Sequence, residues 1–332
     1  MSAPVEFTSA IGPVIARYVT LKQALGRRYA SQRQLLAQLD RFLAVLPVSD
    51  LTATTFAAWC SSIEHCAASG RRKRLLLVLQ FCLYRRRSEP DCFVPDPSQS
   101  PRPQPRPRPH IFSEDEIARL LNGTDALRPW GASPLYRQIA RLALVLLYTS
   151  GLRRGEVVRL TLRDYDPIEH VLRIRDSKFH KSRLVPLSND AVREIDRYLK
   201  DRCRSGLPRA KDAPLLLHRS GKQLTAYSGD GLRRLMQHLY QAVGVRTATG
   251  RLPRVHDLRF TFAIHALSRW YRTGADVQAR LPALATYMGH VSVVSTQYYL
   301  PFLDAVAQAA SERFDRHCAN FLANAPNQRG GR

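Results

Sequence analysis

Six side chains able to act on a phosphate run in order along the chain: Arg153, Lys178, His256, Arg259, His290 and finally Tyr299. No cluster of acidic residues accompanies them. A phosphodiester is a stable anion, and attack on it builds charge on the two non-bridging oxygens. Two guanidinium forks can give paired hydrogen bonds to those oxygens, stay charged at any working pH and hold the phosphorus in line with a nucleophile. A phenol, with an ordinary pKa of about 10, attacks poorly unless nearby positive charge favours the phenolate and a base takes its proton. The departing 5′-oxygen needs a proton donor, which a histidine can be, or a lysine whose pKa neighbouring arginines have lowered. Two arginines, two histidines, a lysine and a tyrosine therefore suffice to break a DNA strand through a covalent phosphotyrosine without a metal.

The segments that carry these residues resemble a known family. Tyr148-Thr149-Ser150-Gly151-Leu152-Arg153-Arg154-Gly155-Glu156-Val157 resembles the first-arginine motif of tyrosine recombinases, also called phage integrases. His256-Asp257-Leu258-Arg259 resembles their H-x-x-R box, Gly289-His290 the glycine-histidine that follows, and Ser295-Thr296-Gln297-Tyr298-Tyr299 the nucleophile segment. Ser177-Lys178 through Arg183-Leu184-Val185-Pro186-Leu187 resembles the hairpin bearing the family's catalytic lysine. Each motif alone is a common local pattern, but in this order, with His290 nine residues before Tyr299, the set is specific and covers most of residues 111 to 305.

The resemblance implies that Arg153 and Arg259 hold the scissile phosphate, Lys178 protonates the 5′-oxygen, His256 serves as acid or base, and His290 bonds the phosphate or positions the tyrosine. Glu156, one helical turn after Arg153, orients that region. Tyr299 attacks to give a 3′-phosphotyrosyl bond and a free 5′-hydroxyl, and the 5′-hydroxyl of a second duplex reverses the step, so neither ATP nor any other cofactor is required. Tyr298 competes with Tyr299, which the spacing from His290 and the following Leu300 favour; Lys181 competes with Lys178 on the same turn. Ser177, Phe260 and Met288 depart from the usual glycine, histidine and leucine, and none of these changes removes a catalytic group. A type IB topoisomerase and a DNA-binding protein without catalysis are the competing readings.

These residues need a scaffold of mainly α character with a small antiparallel β-sheet. From Ile11 to Pro90 the apolar residues, among them Leu21, Leu25, Leu35, Leu36, Leu39 and Leu43, recur at mostly helical spacing, with Thr54 able to cap a segment through Trp59. Residues 1–95 are therefore expected to form a helical bundle, which resembles the family's core-binding (SAM-like) domain. Residues 96–110 place proline at every second position from Pro101 to Pro109, which predicts an extended spacer of about 3.1 Å per residue. Residues 111–332 are expected to be the α+β catalytic domain, opened by a Ser113–Glu116 capping box. Within it, Val171–Arg175 and Arg183–Val185 read as strands joined by the turn that holds Lys178. Helices are expected near 190–199, 231–243, 262–271 and 304–322, the last carrying Phe302, Val306, Ala310, Phe314, Cys318 and Phe321 on one stripe. That stripe can tuck into its own core or dock on a neighbouring protomer.

Composition names the partner. The chain of 332 residues holds 51 Lys+Arg against 27 Asp+Glu, a formal charge of +24, which suits a polyanion. Two basic runs bracket one expected helix, Arg71-Arg72-Lys73-Arg74 and Arg85-Arg86-Arg87, and with Arg102, Arg106 and Arg108 of the spacer they are candidate contacts to the DNA backbone. The expected partners are double-stranded recombination sites, held by a homo-tetramer or by a hetero-tetramer with related recombinases, with accessory DNA-bending proteins. Cysteines 60, 66, 82, 92, 203 and 318 form no C-x-x-C pair and no framework, which points to reduced thiols rather than a metal site, His65 beside Cys66 notwithstanding. The longest apolar run, Leu142 to Tyr148, is far short of the roughly 20 residues that span a bilayer and reads as a core helix. A cytoplasmic, nucleoid-associated protein serving a mobile element is the expectation, with no membrane partner, no signal peptide and no appended arm-binding domain before the bundle.

Overall fold

The computed structural model describes residues 6–27, 29–103, 105, 107–128, 133–175 and 182–289. The chain divides into two compact units, Met1–Pro107 and Arg108–Arg332, each with its own apolar core.

The first unit packs helices α1 (Gly12–Ala24), α2 (Ala30–Ala44), α3 (Ala53–Ser62) and α4 (Ala68–Arg85). Tyr18, Leu36, Phe56, Trp59, Val78 and Phe81 fill its centre. The cap of α3 differs from expectation: Thr52 accepts from the Thr55 amide, and Thr54 lies inside the helix. Thr52 and Thr55 satisfy each other's backbone amides reciprocally, which Thr54 has no partner to do. Asp40, fully buried on α2, accepts from the amides of Thr8 and Ser9 and from the Ser9 hydroxyl, and so pins the segment entering α1. The proline-rich strap starts with a single 3-10 turn, Pro97–Gln99, which Asp96 caps, and Arg72 on α4 holds the Pro101 carbonyl at 2.7 Å.

The second unit opens with α5 (Glu114–Gly123), closed by the reciprocal Ser113–Glu116 box. Helix α6 (Tyr136–Thr149) is apolar and buried all round from Leu142 through Leu147, so it forms the spine of the core. A single turn, α7 (Arg154–Val157), leads into a three-stranded antiparallel sheet of β1 (Tyr165–Asp166), β2 (Val171–Ile174) and β3 (Arg183–Pro186). Its register pairs Leu172 with Val185 and Ile174 with Arg183. Helix α8 (Asn189–Arg204) packs on α6, the hairpin β4 (Leu217–Ser220) and β5 (Gln223–Ala226) follows, and α9 (Gly229–Val243), α10 (Val255–Arg272) and α11 (Val277–Met288) complete the described fold.

Three elements depart from the sequence reading. Helix α10 starts at Val255 rather than near Phe262, because the Asp257 carboxylate accepts from the Arg254 amide and guanidinium and so closes its first turn, and this brings His256 and Arg259 onto the helix. Helix α11 carries Pro282 in its interior, and the second hairpin is short and polar, so neither gives a clear period. The stripe expected over 304–322 lies outside the described residues. Among the described residues no helix is long and apolar enough to cross a membrane, and Cys60, Cys66, Cys82, Cys92 and Cys203 are free thiols.

Candidate active site

Arg153 is the N-cap of α7 and is fixed from both sides. Its amide donates to Glu156 Oε2 at 2.9 Å and its Nη1 to Glu156 Oε1 at 2.9 Å, while Nη2 reaches the Gly289 carbonyl at 2.8 Å. Its side chain retains 27% exposure, so it faces the solvent side of the site. Arg259 is buried at 1% exposure and donates to the Gly151 carbonyl at 2.5 Å and to the Met288 carbonyl at 2.7 Å. The two candidate phosphate-binding arginines thus converge on successive carbonyls at the C-terminal end of α11, where the helix dipole is negative.

Arg183, which the sequence reading passed over as a strand residue, is the third arginine of this cluster. Its Nε donates to the Tyr287 carbonyl at 2.9 Å, and Nη1 and Nη2 donate to the two Glu156 oxygens at 3.1 and 3.0 Å. Glu156 is the carboxylate that Arg153 and Arg183 share, and its side chain is 2% exposed. Burial alone would raise its pKa, but the hydrogen bonds and charge of Arg183, with the amide and charge of Arg153, outweigh that and hold it at about 2. Among the described residues Arg153, Arg183, Arg254 and Arg259 stand against Glu156 and Asp257, an excess of positive charge that suits an incoming phosphate.

His256, on the first turn of α10, has a solvent-exposed outer face and packs edge-on against Phe260 at 5.3 Å. Desolvation on its protein side, with the charges of Arg259, Arg254 and Arg153 against a pull from Asp257, depresses its pKa to about 4. The imidazole is therefore uncharged at neutral pH and able to accept a proton.

Two glycines make the close approaches possible. Gly151, at φ +56°, lets the turn between α6 and α7 lie on α10, where an added Cβ would stand 2.4 Å from Phe262. Gly289, at φ +69°, ends α11, and a Cβ there would stand 2.7 Å from Arg183 Nη1.

Lys178, Lys181, His290, Tyr298 and Tyr299 lie outside the described residues, as does Arg106. The structure does bring together Arg153, Glu156, His256 and Arg259. Among the described residues no three His, Cys, Asp or Glu side chains gather as metal ligands.

On the first unit, Lys73, Arg86 and Arg87 are exposed, and Arg71, Arg72 and Arg74 partly so. Arg85 differs from the expected phosphate contact. It is 8% exposed and its guanidinium is held by Asp50 and Glu89, so that charge is neutralised inside the unit. On the strap, Arg102 and Arg108 are exposed.

Comparison with known proteins bears on this geometry. Residues 111–304 match the model of the Phage integrase family. A Sinorhizobium fredii protein, y4rB, named as an integrase/recombinase, is 32% identical over 318 residues, which are 93% of this chain and 98% of that protein. The Tn1549 transposon integrase in complex with a circular intermediate DNA shares the fold at a TM-score of 0.60 and 16% identity, over 91% of this chain and 99% of that one. A lambda integrase tetramer bound to a Holliday junction shares it at a TM-score of 0.54 and 16% identity, over 84% of this chain and 77% of that one.

Proposed function

Because this chain belongs to the phage integrase family, and is thereby a tyrosine-type site-specific recombinase that cuts and rejoins DNA, we propose a role for each residue of its site. Arg153 and Arg259 hold the non-bridging oxygens of the scissile phosphate, Arg259 from the floor and Arg153 from the open side. Tyr299 attacks, His256 takes or returns the proton, Lys178 protonates the departing 5′-oxygen and His290 bonds the phosphate. Glu156 keeps Arg153 in place and does not react.

The observation that carries this reading is the convergence of Arg153 and Arg259 on the Gly289 and Met288 carbonyls. It ties both phosphate-binding candidates to the helix end that leads directly into His290 and, nine residues on, Tyr299. The exchange of one phosphoester for another conserves bond energy, so the strand is resealed when a 5′-hydroxyl attacks the phosphotyrosine.

Several broader features belong to the same proposal. Residues 1–95 act as the core-binding unit, 96–110 as a strap along the backbone and 111–332 as the catalytic unit. The basic residues Arg71, Arg72, Lys73, Arg74, Arg86, Arg87, Arg102, Arg106 and Arg108 contact phosphates. Four protomers act on two duplexes, a reading that the lambda integrase tetramer on its junction supports. The protein works at the nucleoid, with DNA-bending proteins as accessory factors.

The test traps the covalent intermediate. Wild type, Tyr299→Phe and Tyr298→Phe are incubated without metal on nicked suicide duplexes taken from DNA flanking the gene, then resolved on denaturing gels. An adduct lost in Tyr299→Phe and kept in Tyr298→Phe is the expected result. An adduct that survives Tyr299→Phe would overturn the nucleophile assignment.

A further inference from the structure

Arg183 occupies the first position of β3, five residues after Lys178 in sequence, and all three of its guanidinium nitrogens donate to other elements. Two donate to Glu156 on α7 and one to the Tyr287 carbonyl in the last turn of α11. The side chain is 10% exposed, and Gly289 leaves no room beside it, since a Cβ there would approach Nη1 to 2.7 Å. Tyr287 returns a bond to the hairpin from its hydroxyl, which donates to the Pro186 carbonyl at 2.9 Å.

We propose that Arg183 is a positioning residue of the recombination reaction: its single planar fork locks the lysine-bearing hairpin, the Arg153–Glu156 turn and the end of α11 into one frame. The inference rests on the reading above, in which Arg153 holds the phosphate and Tyr299 attacks it. Two physical points support it. First, the fork divides Glu156 between two arginines. Because Arg183 engages both carboxylate oxygens, the Arg153 side chain is left with one bond to Oε1 through Nη1, and its Nη2 is directed to Gly289. Without Arg183 the buried carboxylate would draw Arg153 into a paired bond of its own and turn it from the phosphate. Second, the groups assigned to the reaction sit on segments far apart in sequence, and only a cross-link among those segments sets their spacing. A lysine at 183 could meet one of the three acceptors, but it lacks the planar fork that meets all three.

The experiment compares Arg183→Gln and Arg183→Lys with wild type in the full chain. Duplex affinity, single-turnover adduct formation on the suicide duplex and backbone amide exchange are measured on each. The proposal expects duplex binding within about threefold of wild type, with adduct formation slowed roughly 10²-fold in Arg183→Gln and at least about tenfold in Arg183→Lys, the loss expected for misplaced reacting groups. Amide exchange should quicken together in peptides covering 171–175, 182–187 and 277–289 while α9 is unchanged. Adduct formation within about threefold of wild type would overturn the proposal. So would a uniform rise in exchange across the unit with a rate loss that cooling restores, since that marks a residue serving stability alone. If wild type itself forms no adduct, the nucleophile reading has failed, and the exchange pattern then decides the joint independently: unchanged peptides sink it.

Discussion

Glu156 is the residue on which the charge balance of the site turns. Its carboxylate is buried yet ionised, held at about pKa 2 against an ordinary 4.5, so the folded protein binds its proton less readily than the unfolded chain does. The sign follows from linkage: the group contributes stability above pH 4.5 and loses that contribution as pH falls toward 2. The size is of the order of 3 kcal/mol. His256 acts in the same direction one window higher, because its depressed pKa makes the unfolded chain the better proton acceptor between pH 6.5 and about 4, and His265 is depressed as well. Urea midpoints measured from pH 7 to pH 3 should therefore fall in two stages. His256→Gln should flatten part of the upper stage and Glu156→Gln the lower. A Glu156→Gln variant with the wild-type slope below pH 4.5 would show that the carboxylate is not held as described. Arg153, His256 and Arg259 were legible in the sequence because their motifs are local. Arg183 was not, since an arginine at the start of a strand reads as an exposed charge until its bond to the carbonyl of Tyr287, more than a hundred residues away, is known.

At the scale of elements, the site exists because the turn after α6 and the end of α11 both lie against α10. Gly151 is the hinge of that contact. Its positive φ costs an alanine about 1–2 kcal/mol, and the added methyl would also press into Phe262 at 2.4 Å. Gly151→Ala should therefore lower stability by roughly 2–3 kcal/mol, read as a lower denaturant midpoint with an unchanged slope. Because the Gly151 carbonyl holds Arg259, adduct formation should fall in the same variant, even under conditions where it is folded. An unchanged midpoint would mean that the turn and Phe262 are not packed together. The hairpin of β2 and β3 and the cap of α5 could be read in advance from two short apolar runs either side of a polar stretch and from a reciprocal Ser–Glu pair. Helix α11 could not, because Pro282 breaks its pattern. The true start of α10 was hidden for another reason: Arg254, its N-cap, has no side-chain acceptor, and the turn is closed from Asp257, whose buried carboxylate accepts from the Arg254 amide and guanidinium.

Across the whole molecule the excess of 24 positive charges is spread over both units and the strap, so binding to a duplex should be dominated by counterion release. If six or more phosphates are contacted, affinity should fall about 10³-fold or more between 50 and 200 mM salt. The strap offers a sharper test than the total. Its arginines lie where proline denies the backbone most of its amide donors, so any hold on DNA there must come from the side chains. Replacing Arg102, Arg106 and Arg108 with glutamine removes three charges and, if each meets a phosphate, should lower the slope of log affinity against log salt by about 2.7, at about 0.9 per contact. The apolar cores of the two units are untouched by the change, so thermal stability should stay within about 0.5 kcal/mol of wild type. Arg85→Gln supplies the contrast. That arginine belongs to the same basic run as Arg86 and Arg87, but it is held by Asp50 and Glu89, so its loss should destabilise the first unit and leave the slope where it was. A slope unchanged by the triple replacement would assign the strap the role of a spacer alone. A slope reduced by Arg85→Gln in the folded protein would mean that the ion pair opens on DNA.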